Sequence, residues 1–304
     1  MSDGFSIRVP CSSANLGPGF DSLGLALTLY LNVDIKVAES PEFLMEIAKA
    51  TVGLSTDPKE NLLTQMITHT LSKFNKSPKK KLVLCIDSEI PFGSGLGSSS
   101  TAVIAAAMIA NQIGDMYLSK DAMLDLCCEI EGHPDNITPG FLGNLTVSVH
   151  SQPCIYLTIP FPEQIKIMAA TPSYQLATEK ARKALPSHYS REDVVYNIQR
   201  ASALPHILRN PAYWNRLKDV LQDKIHQPYR LKLLPGFEDI LEINVDGCLG
   251  SFVSGAGPTA LILYLNNEKA IGAFVTTAFA KHGFTTTIRH LEVDTHGALL
   301  KLEK

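Results

Sequence analysis

The chain lacks the features that mark several classes of protein. Its six cysteines include no Cys-x-x-Cys pair, which argues against a zinc site or a disulfide framework and suits reduced thiols. No apolar run reaches the roughly 20 residues that cross a bilayer, and residues 1–5 have no basic and apolar signal pattern. The formal net charge of -3 gives no reason to expect nucleic acid or an anionic membrane as a partner. We therefore expect a cytoplasmic protein without a nucleic-acid or membrane partner.

Glycine is concentrated in one segment that is typical of a phosphate site. It contains three glycines at alternate positions, which allow the backbone to adopt φ > 0 and to approach a ligand closely. Hydroxyl side chains follow where a buried apolar helix over 102–110 is predicted to begin, and the free N–H groups at a helix start attract anions. The candidate phosphate-binding residues are Pro91, Phe92, Gly93, Ser94, Gly95, Leu96, Gly97, Ser98, Ser99, Ser100 and Thr101.

Lysine is missing where a common phosphate loop would need it. No lysine occurs between Lys81 and Lys120, so a Walker A loop, which ends in Gly-Lys-Ser/Thr, is excluded. The dinucleotide fingerprint Gly-x-Gly-x-x-Gly is excluded as well, because Ser98 occupies its last glycine position. The alternative is an ordinary glycine-rich turn before a core helix, which the cluster of serines and threonine makes the less favoured interpretation.

Apolar residues make up 45% and charged residues 19% of the 304 residues, an ordinary balance for one large or two modest globular domains. Helical and strand patterns alternate, which predicts an α+β fold with domains at 1–160 and 161–304. Helices are predicted at 61–74, 102–110, 123–130 and 270–281, with further helical segments in 178–223. Strands are predicted at 5–10, 30–38, 81–86, 145–150, 154–159, 165–170, 250–253, 260–265 and 285–293.

Two further glycine-containing loops flank predicted strands. Residues 9–24 place Asn15 and Asp21 among glycines directly after a strand. The alternative there is a turn-rich connection whose polar side chains bond the local backbone. Residues 253–260 read Val-Ser-Gly-Ala-Gly-Pro-Thr-Ala, and they form either a hairpin turn or a backbone that closes over a ligand.

A fourth cluster of polar residues closes the predicted helix at 123–130. It reads Glu131-Gly-His-Pro-Asp-Asn136, and such groups ligate Mg²⁺ or hold a polar substrate. The alternative is a polar helix end, with Gly132 at the position after the cap and Pro134 as the stop.

The loops at 10–24, 91–101 and 250–260 match, in order, the three sequence motifs of the GHMP kinases, and the resemblance spans nearly the whole chain. It implies a two-domain GHMP kinase fold: an N-terminal, ATP-binding domain like ribosomal protein S5 domain 2 and a C-terminal, substrate-side ferredoxin-like domain. It also implies the use of ATP and Mg²⁺, with the phosphates on the 91–101 loop and with Ser99 and Glu131 as metal ligands. Asp125, on the same predicted helix, is the alternative carboxylate.

Within the family, the chain most resembles the branch that phosphorylates L-homoserine. The segments at 13–21, 131–136, 178–186 and 227–230 carry this similarity. It implies transfer of the ATP γ-phosphoryl group to the side-chain hydroxyl, which gives O-phospho-L-homoserine for threonine biosynthesis. The matching substrate positions are Asn15, Asp21, His133, Asp135, Asn136, Thr178, Arg182, Arg230, Gly255 and Gly257.

The chemistry of these side chains suggests their roles. The guanidinium groups of Arg182 and Arg230 suit the α-carboxylate, because a guanidinium binds a carboxylate bidentately. Asp21 or Asp135 suits the ammonium group. Asparagine amides can orient the attacking hydroxyl, so the catalytic candidates are Asn15, Asp21 and Asn136.

Several alternatives stay open from the sequence. Phosphoryl transfer depends mainly on positioning and charge neutralisation, so no general base is expected, but Asp21 as a base is the alternative. A mevalonate-type GHMP kinase is a second interpretation, although its substrate lacks the ammonium group that would explain Asp21 and Asp135. A non-catalytic ligand-binding homologue is a third. The family resemblance also implies a homodimer.

Overall fold

The computed structural model describes residues 4–302, so the outermost ends of the two predicted domains, 1–3 and 303–304, lie outside the described residues. The strands are β1 (Gly4–Ala14), β2 (Leu23–Glu39), β3 (Leu44–Ala50), β4 (Lys80–Ser88), β5 (Leu145–Val149), β6 (Ile155–Ile159), β7 (Lys166–Pro172), β8 (Cys248–Val253), β9 (Ala260–Tyr264), β10 (Thr286–Leu291) and β11 (Leu299–Leu302).

The helices are α1 (Leu62–Lys73), α2 (Ser98–Ile113), α3 (Lys120–Glu131), α4 (Ile137–Leu142), α5 (Thr178–Lys183), α6 (Arg191–Leu208), α7 (Leu217–Val220), α8 (Gln227–Arg230), α9 (Phe237–Leu241) and α10 (Glu268–Ala280). Two short 3₁₀ helices cover Pro211–Arg216 and Leu231–Leu233. Within residues 4–302, no helix combines the length and the apolar character needed to cross a membrane.

The larger sheet has seven strands and is organised around the long strand β2. Its main path is β11-β1-β2-β4-β3, while β5 pairs the beginning of β2 and β6 pairs β5. Neighbours are antiparallel except β3 and β4, which run parallel. The alternation of buried and exposed positions along β2 explains the partial alternation seen in the sequence, since one face of the sheet packs on helices.

The smaller sheet has four antiparallel strands in the order β10-β7-β9-β8. In chain order these are the first to fourth strands arranged 4-1-3-2, with helices between the first and second and between the third and fourth. This is the βαββαβ pattern of a ferredoxin-like unit, so the predicted α+β fold with that C-terminal architecture is confirmed.

Helix α2 lies in the middle of the larger core. Its residues from Ser100 to Ala110 are buried on every side, as expected for a helix that is apolar all round. It packs against α1, α3, α4 and β1. The helix begins at Ser98 instead of 102, so the serines form its first turn and its N-terminus opens where the glycine loop ends.

The two sheets share part of one core. Residues of the second half, such as Ile167, Leu204 and Phe252, belong to the same apolar cluster as the strands of the first sheet. The last strand, β11, pairs with β1 in the register Phe5↔Leu302 to Arg8↔Leu299. The C-terminal end of the chain therefore returns to the N-terminal sheet, and the division at 160/161 stays a prediction.

Candidate functional site

A cleft of about 150 Å³ opens at the N-terminus of α2. Most of the residues that the sequence singled out line it, although they come from both halves of the chain. Those lining it are Asn15, Asp21, Gly93, Ser94, Gly95, Leu96, Gly97, Ser98, Ser99, Ser100, Glu131, His133, Asp135, Asn136, Thr178, Arg182, Arg230 and Gly255.

Four predicted positions lie behind this lining or beside it. Thr101 is buried, and its hydroxyl donates to the carbonyl of Ser98 at 2.8 Å. The carbonyl of Pro91 accepts from the Ser94 hydroxyl at 2.7 Å, so it shapes the loop from within. A Cβ on Gly257 would lie 2.7 Å from the Leu234 side chain, and Phe92 is half-buried near Gly53.

The glycine loop needs its glycines for two reasons. Gly93, Gly95 and Gly97 have φ of +60°, +81° and +68°, which a residue with a Cβ adopts only with strain. A Cβ on Gly95 would lie 2.3 Å from the Ser254 carbonyl oxygen. The loop is therefore pressed against the β8–β9 turn, and its backbone is exposed towards the cleft.

The first turn of α2 presents free donors to the cleft. The first intrahelical bond is from Thr101 N–H to the Gly97 carbonyl, at 3.0 Å. The N–H groups of Ser98, Ser99 and Ser100 therefore belong to the open end of the helix, where the helix dipole is positive. A 16-residue helix that ends at a cleft in this way is suited to an anion such as phosphate.

Serine hydroxyls connect the three sequence motifs, and sequence reasoning did not single them out for this. Ser254 Oγ lies 2.9 Å from Ser13 Oγ and donates to the Gly95 carbonyl at 2.8 Å. Ser12 Oγ donates to Asn136 Oδ1 at 2.9 Å. Each serine is buried, so these bonds are shielded from water and fix the loops relative to one another.

Glu131 closes α3 beside the start of α2. Its Oε1 accepts a hydrogen bond of 2.7 Å from the Ser100 hydroxyl, while Ser99 also lines the cleft. Asp125, the alternative carboxylate, does not line the cleft, and its Oδ1 accepts the N–H of Cys154 at 2.7 Å. Of the two carboxylates, Glu131 is therefore the one that faces the cleft at the N-terminus of α2.

Asp21 and Arg182 form an ion pair that also lines the cleft. Arg182 donates from Nη1 to Oδ2 at 3.1 Å and from Nη2 to Oδ1 at 2.8 Å. The hydrogen bond to Asp21 raises the pKa of the Arg182 guanidinium and outweighs the effect of partial burial. The two side chains offer one cationic and one anionic group next to each other.

His133 and Asp135 form a second pair on the same side. His133 Nδ1 lies 2.6 Å from Asp135 Oδ1, and Asp135 is buried. Burial by itself lowers the pKa of His133, but the hydrogen bond to Asp135 and its charge outweigh burial, so that the pKa is raised. Asp21, His133 and Asp135 offer ligand atoms within 4.8 Å of one another. Arg182 already engages both oxygens of Asp21, which leaves fewer carboxylate positions for a metal than the three residues would offer alone.

Arg230 is a deeply buried charge in the cleft, with 2% of its surface exposed. Its Nη1 donates to the Gly255 carbonyl at 2.9 Å and lies 3.1 Å from His226 Nδ1, and its Nε lies 3.4 Å from the Ala181 carbonyl. Burial first and the charge of Arg182 second lower its pKa to about 10. Such a site gains from an anionic ligand, which would offset the cost of the buried charge.

The two asparagines hold the loops as well as line the cleft. Asn15, at φ +76°, donates from Nδ2 to the Gly255 carbonyl at 2.9 Å and accepts the N–H of Asp21 on Oδ1 at 3.1 Å. Asn136 Oδ1 accepts from Ser12. Both amides are thus committed in part to the scaffold, and a role in orienting a hydroxyl stays a prediction.

Two aromatic side chains behind the arginines escaped sequence reasoning. The Phe20 ring lies 5.7 Å from Arg182 Cζ and 5.5 Å from Arg230 Cζ, so both guanidinium groups lie near one aromatic ring. It also stacks on the His226 ring with centroids 5.3 Å apart. The sequence offered only their positions as signals: Phe20 directly precedes Asp21, and His226 begins the short segment that ends at Arg230.

Known proteins resemble this chain over nearly its whole length. A family model described as the GHMP kinases N terminal domain matches residues 61–144, and one described as GHMP kinases C terminal matches residues 201–281. Homoserine kinase from Microchaete diplosiphon is 35% identical over 298 residues, 96% of each chain. Homoserine kinase from Schizosaccharomyces pombe is 35% identical over 98% of each chain.

A solved structure shares the fold. Homoserine kinase from Cytophaga hutchinsonii ATCC 33406 superposes with a TM-score of 0.84 at 24% identity, covering 99% of this chain and 98% of that one. At 24% identity this similarity shows the fold alone, whereas the two relatives at 35% identity show the family.

Proposed function

This chain belongs to the GHMP kinase family, and we propose that it transfers the γ-phosphoryl group of ATP to the side-chain hydroxyl of L-homoserine. The product is O-phospho-L-homoserine, an intermediate for threonine biosynthesis. One observation carries the proposal: the open N-terminus of α2 and a set of charges matched to an amino-acid zwitterion share a single cleft.

The ATP phosphates are assigned to the glycine loop. Its main-chain N–H groups and the open first turn of α2 supply donors and a positive dipole end for the triphosphate. No lysine is needed, because the backbone provides the donors. The hydrogen bond from Ser254 Oγ to the Gly95 carbonyl holds the loop against the β8–β9 turn. These donors are therefore positioned before the nucleotide binds.

Magnesium is assigned to Glu131 and the serine hydroxyls at the start of α2. The donors are oxygens, which Mg²⁺ prefers, and a carboxylate beside a phosphate site is a common arrangement for it. The Ser100 hydroxyl at 2.7 Å holds Glu131 in place, while Ser99 is the predicted hydroxyl ligand. Bound there, Mg²⁺ would neutralise charge that develops on the transferred group.

The amino-acid end of the substrate is assigned to the charged pairs. The bonds of Arg230 to residues 4–302 use Nε and Nη1, so Nη2 is available for the α-carboxylate, with Arg182 beside it. The carboxylates of Asp21 and Asp135 suit the ammonium group. A mevalonate-type substrate lacks that group, so these two aspartates favour an amino acid.

The attacking hydroxyl is positioned by this binding, and the step itself asks little of a base. The transition state of phosphoryl transfer is loose, and charge neutralisation with correct placement supplies most of the rate enhancement. Both oxygens of Asp21 are engaged by Arg182, which favours its binding role over the role of a general base.

Homodimerisation, a cytoplasmic location and the domain boundary at 160/161 complete the proposal.

A substrate panel tests the proposed function. The purified chain is incubated with ATP and Mg²⁺ and with homoserine, mevalonate, serine, threonine or galactose, and ADP formation is followed. We expect homoserine to be the good substrate of this panel, with formation of ADP and O-phosphohomoserine. Turnover of mevalonate instead would favour the mevalonate-type interpretation, and no turnover with any acceptor, together with homoserine binding, would favour a non-catalytic homologue.

A further inference from the structure

His226 is a buried side chain that does not line the cleft but contacts Arg230, which does. It is fully buried, and its Nε2 lies 2.7 Å from the Gly17 carbonyl oxygen. Its Nδ1 lies 3.1 Å from Nη1 of Arg230. A carbonyl oxygen only accepts and a guanidinium only donates, so both contacts are satisfied by one neutral tautomer, with the proton on Nε2.

The position of the His226 ring is fixed from several sides. Its main-chain N–H donates to Asp223 Oδ2 at 2.9 Å, and Asp223 is itself held by Asn197 Nδ2 at 2.8 Å. The ring stacks on Phe20 with an interplanar angle of 24°. A side chain fixed in this way can in turn fix the orientation of a neighbour to which it is hydrogen-bonded.

The neighbour that gains from this order is Arg230. An arginine side chain has many rotamers, and ordering it costs conformational entropy. His226 and Gly255 together hold Nη1, which fixes the plane of the guanidinium and leaves Nη2 for a carboxylate. Burial lowers the pKa of His226 and favours the neutral ring, which avoids repulsion between two cations.

We propose that His226 is a positioning residue, which orients the Arg230 guanidinium for the substrate carboxylate by accepting a hydrogen bond on Nδ1. The inference rests on the proposed function, since it assigns Arg230 to the amino-acid end. A role in packing alone makes a different prediction, because the hydrogen bonds would then be dispensable as long as the ring and its stacking on Phe20 remain.

Two variants separate hydrogen bonding from packing. His226→Phe keeps an aromatic ring next to Phe20 but loses both bonds, whereas His226→Gln can offer an N–H to Gly17 and an oxygen to Arg230. We expect His226→Phe to raise the KM for homoserine about ten- to a hundredfold, the range for a lost hydrogen bond to a charged group. The KM for ATP should stay near wild type, and His226→Gln should recover a large part of the loss.

A double-mutant comparison shows whether the effect passes through Arg230. In an Arg230→Lys background, His226→Phe should have little further effect on the KM for homoserine, because the fork that His226 orients is gone. An unchanged KM in His226→Phe, an equal rise in the KM of both substrates, or full additivity with Arg230→Lys would overturn the proposal. Circular dichroism confirms that each variant is folded.

A structural readout distinguishes this inference from the proposed function. Side-chain ¹⁵N NMR of the nine histidines, with His226 assigned from the spectrum of His226→Gln, reports which nitrogen carries the proton. An unprotonated Nδ1 supports the positioning role even if the panel shows no turnover of homoserine, an outcome that would refute the function alone. A protonated Nδ1 overturns the positioning role whatever the activity.

Discussion

Arg230 combines deep burial with access to the cleft, and this combination makes its removal informative. Arg230→Ala should raise the KM for homoserine about 100-fold or more, because loss of a buried, hydrogen-bonded charge costs about 2–5 kcal/mol. The KM for ATP should change by less than about threefold, since we assign the phosphates to the glycine loop and the α2 N-terminus and not to Arg230. Steady-state kinetics with each substrate varied in turn measures both values.

The matched variant for this prediction is Arg230→Lys. Alanine leaves His226 Nδ1 without its partner and the Gly255 carbonyl with Asn15 alone, so it also tests the scaffold. Lysine keeps the charge but not the planar fork, and it should fall between wild type and alanine. If both KM values rose together in either folded variant, Arg230 would not be a specific ligand of the amino acid.

Asp21 tests whether the reaction uses a general base. Asp21→Asn removes the negative charge but keeps the shape of the side chain beside Arg182. If Asp21 binds the ammonium group, the KM for homoserine should rise about tenfold or more while kcat falls only a few-fold. A steep loss of kcat, on the order of 10²-fold or more, with unchanged homoserine affinity is the signature of a base and would contradict our interpretation.

At the scale of elements, the loop before α2 owes its shape to Gly95. Gly95→Ala places a Cβ 2.3 Å from the Ser254 carbonyl oxygen at a φ of +81°, so the loop must move. The N–H groups that we assign to the phosphates move with it, and the KM for ATP should rise about tenfold or more, as expected when donors shift from their place.

Gly283 supplies a matched control for that change. It has φ +82°, no described residue apart from its two chain neighbours has an atom within 4 Å of the position that a Cβ would occupy, and it does not line the cleft. Gly283→Ala therefore carries the same backbone strain, about 1–2 kcal/mol, without displacing the loop. We expect a lower unfolding temperature but unchanged KM values, and a similar rise in the KM for ATP in both variants would show that strain, not position, is responsible.

The end of α3 distinguishes the two candidate metal carboxylates. Glu131→Gln removes the charge that faces the α2 N-terminus, and we expect the Mg²⁺ concentration for half-maximal activity to rise at least about tenfold. Asp125→Asn should leave that concentration unchanged, because Asp125 binds the Cys154 N–H away from the cleft. Titration of Mg²⁺ at saturating ATP measures both, and the opposite result would move the metal to Asp125.

Across the whole molecule, features with local patterns could be predicted from the sequence. The glycines before α2 and the carboxylate that ends α3 are short-range signals, and both elements are present in the structure. The strand order of the smaller sheet followed from family resemblance, since no local pattern specifies which strands pair. Element ends differed by a few residues, as for α2, which begins at Ser98 rather than 102.

The contacts that complete the cleft could not be predicted in this way. Ser254 and Ser13 are 241 residues apart in sequence, and His226 and Gly17 are 209 apart. A serine hydroxyl or a histidine ring bonds whatever the fold brings near it, so its sequence neighbours do not identify its partner. The return of β11 to β1 is of the same kind, because edge strands pair through the backbone and not through a side-chain code.

Burial of His226 also links the stability of the whole chain to pH. Burial lowers the pKa of His226 from 6.5, and Arg230 acts in the same direction, whereas Asp223, 3.6 Å from Nε2, the Gly17 carbonyl and Asp21 oppose them. The unfolded chain therefore takes up this proton at a higher pH than the folded chain does. As the pH falls below 6.5, the free energy of unfolding should drop through this group by up to about 1.4 kcal/mol per pH unit.

His226→Gln isolates this contribution, because glutamine has no proton to gain in this range. Above about pH 7, the free energy of unfolding of the wild type should exceed that of the variant by the largest margin. This margin should narrow as the pH falls to about 5.5. Urea unfolding at about pH 7.5, 6.5 and 5.5 measures it for both proteins. A margin that stays constant over this range would mean that the folded chain holds His226 protonated as readily as the unfolded chain does, against the neutral ring that its contacts require.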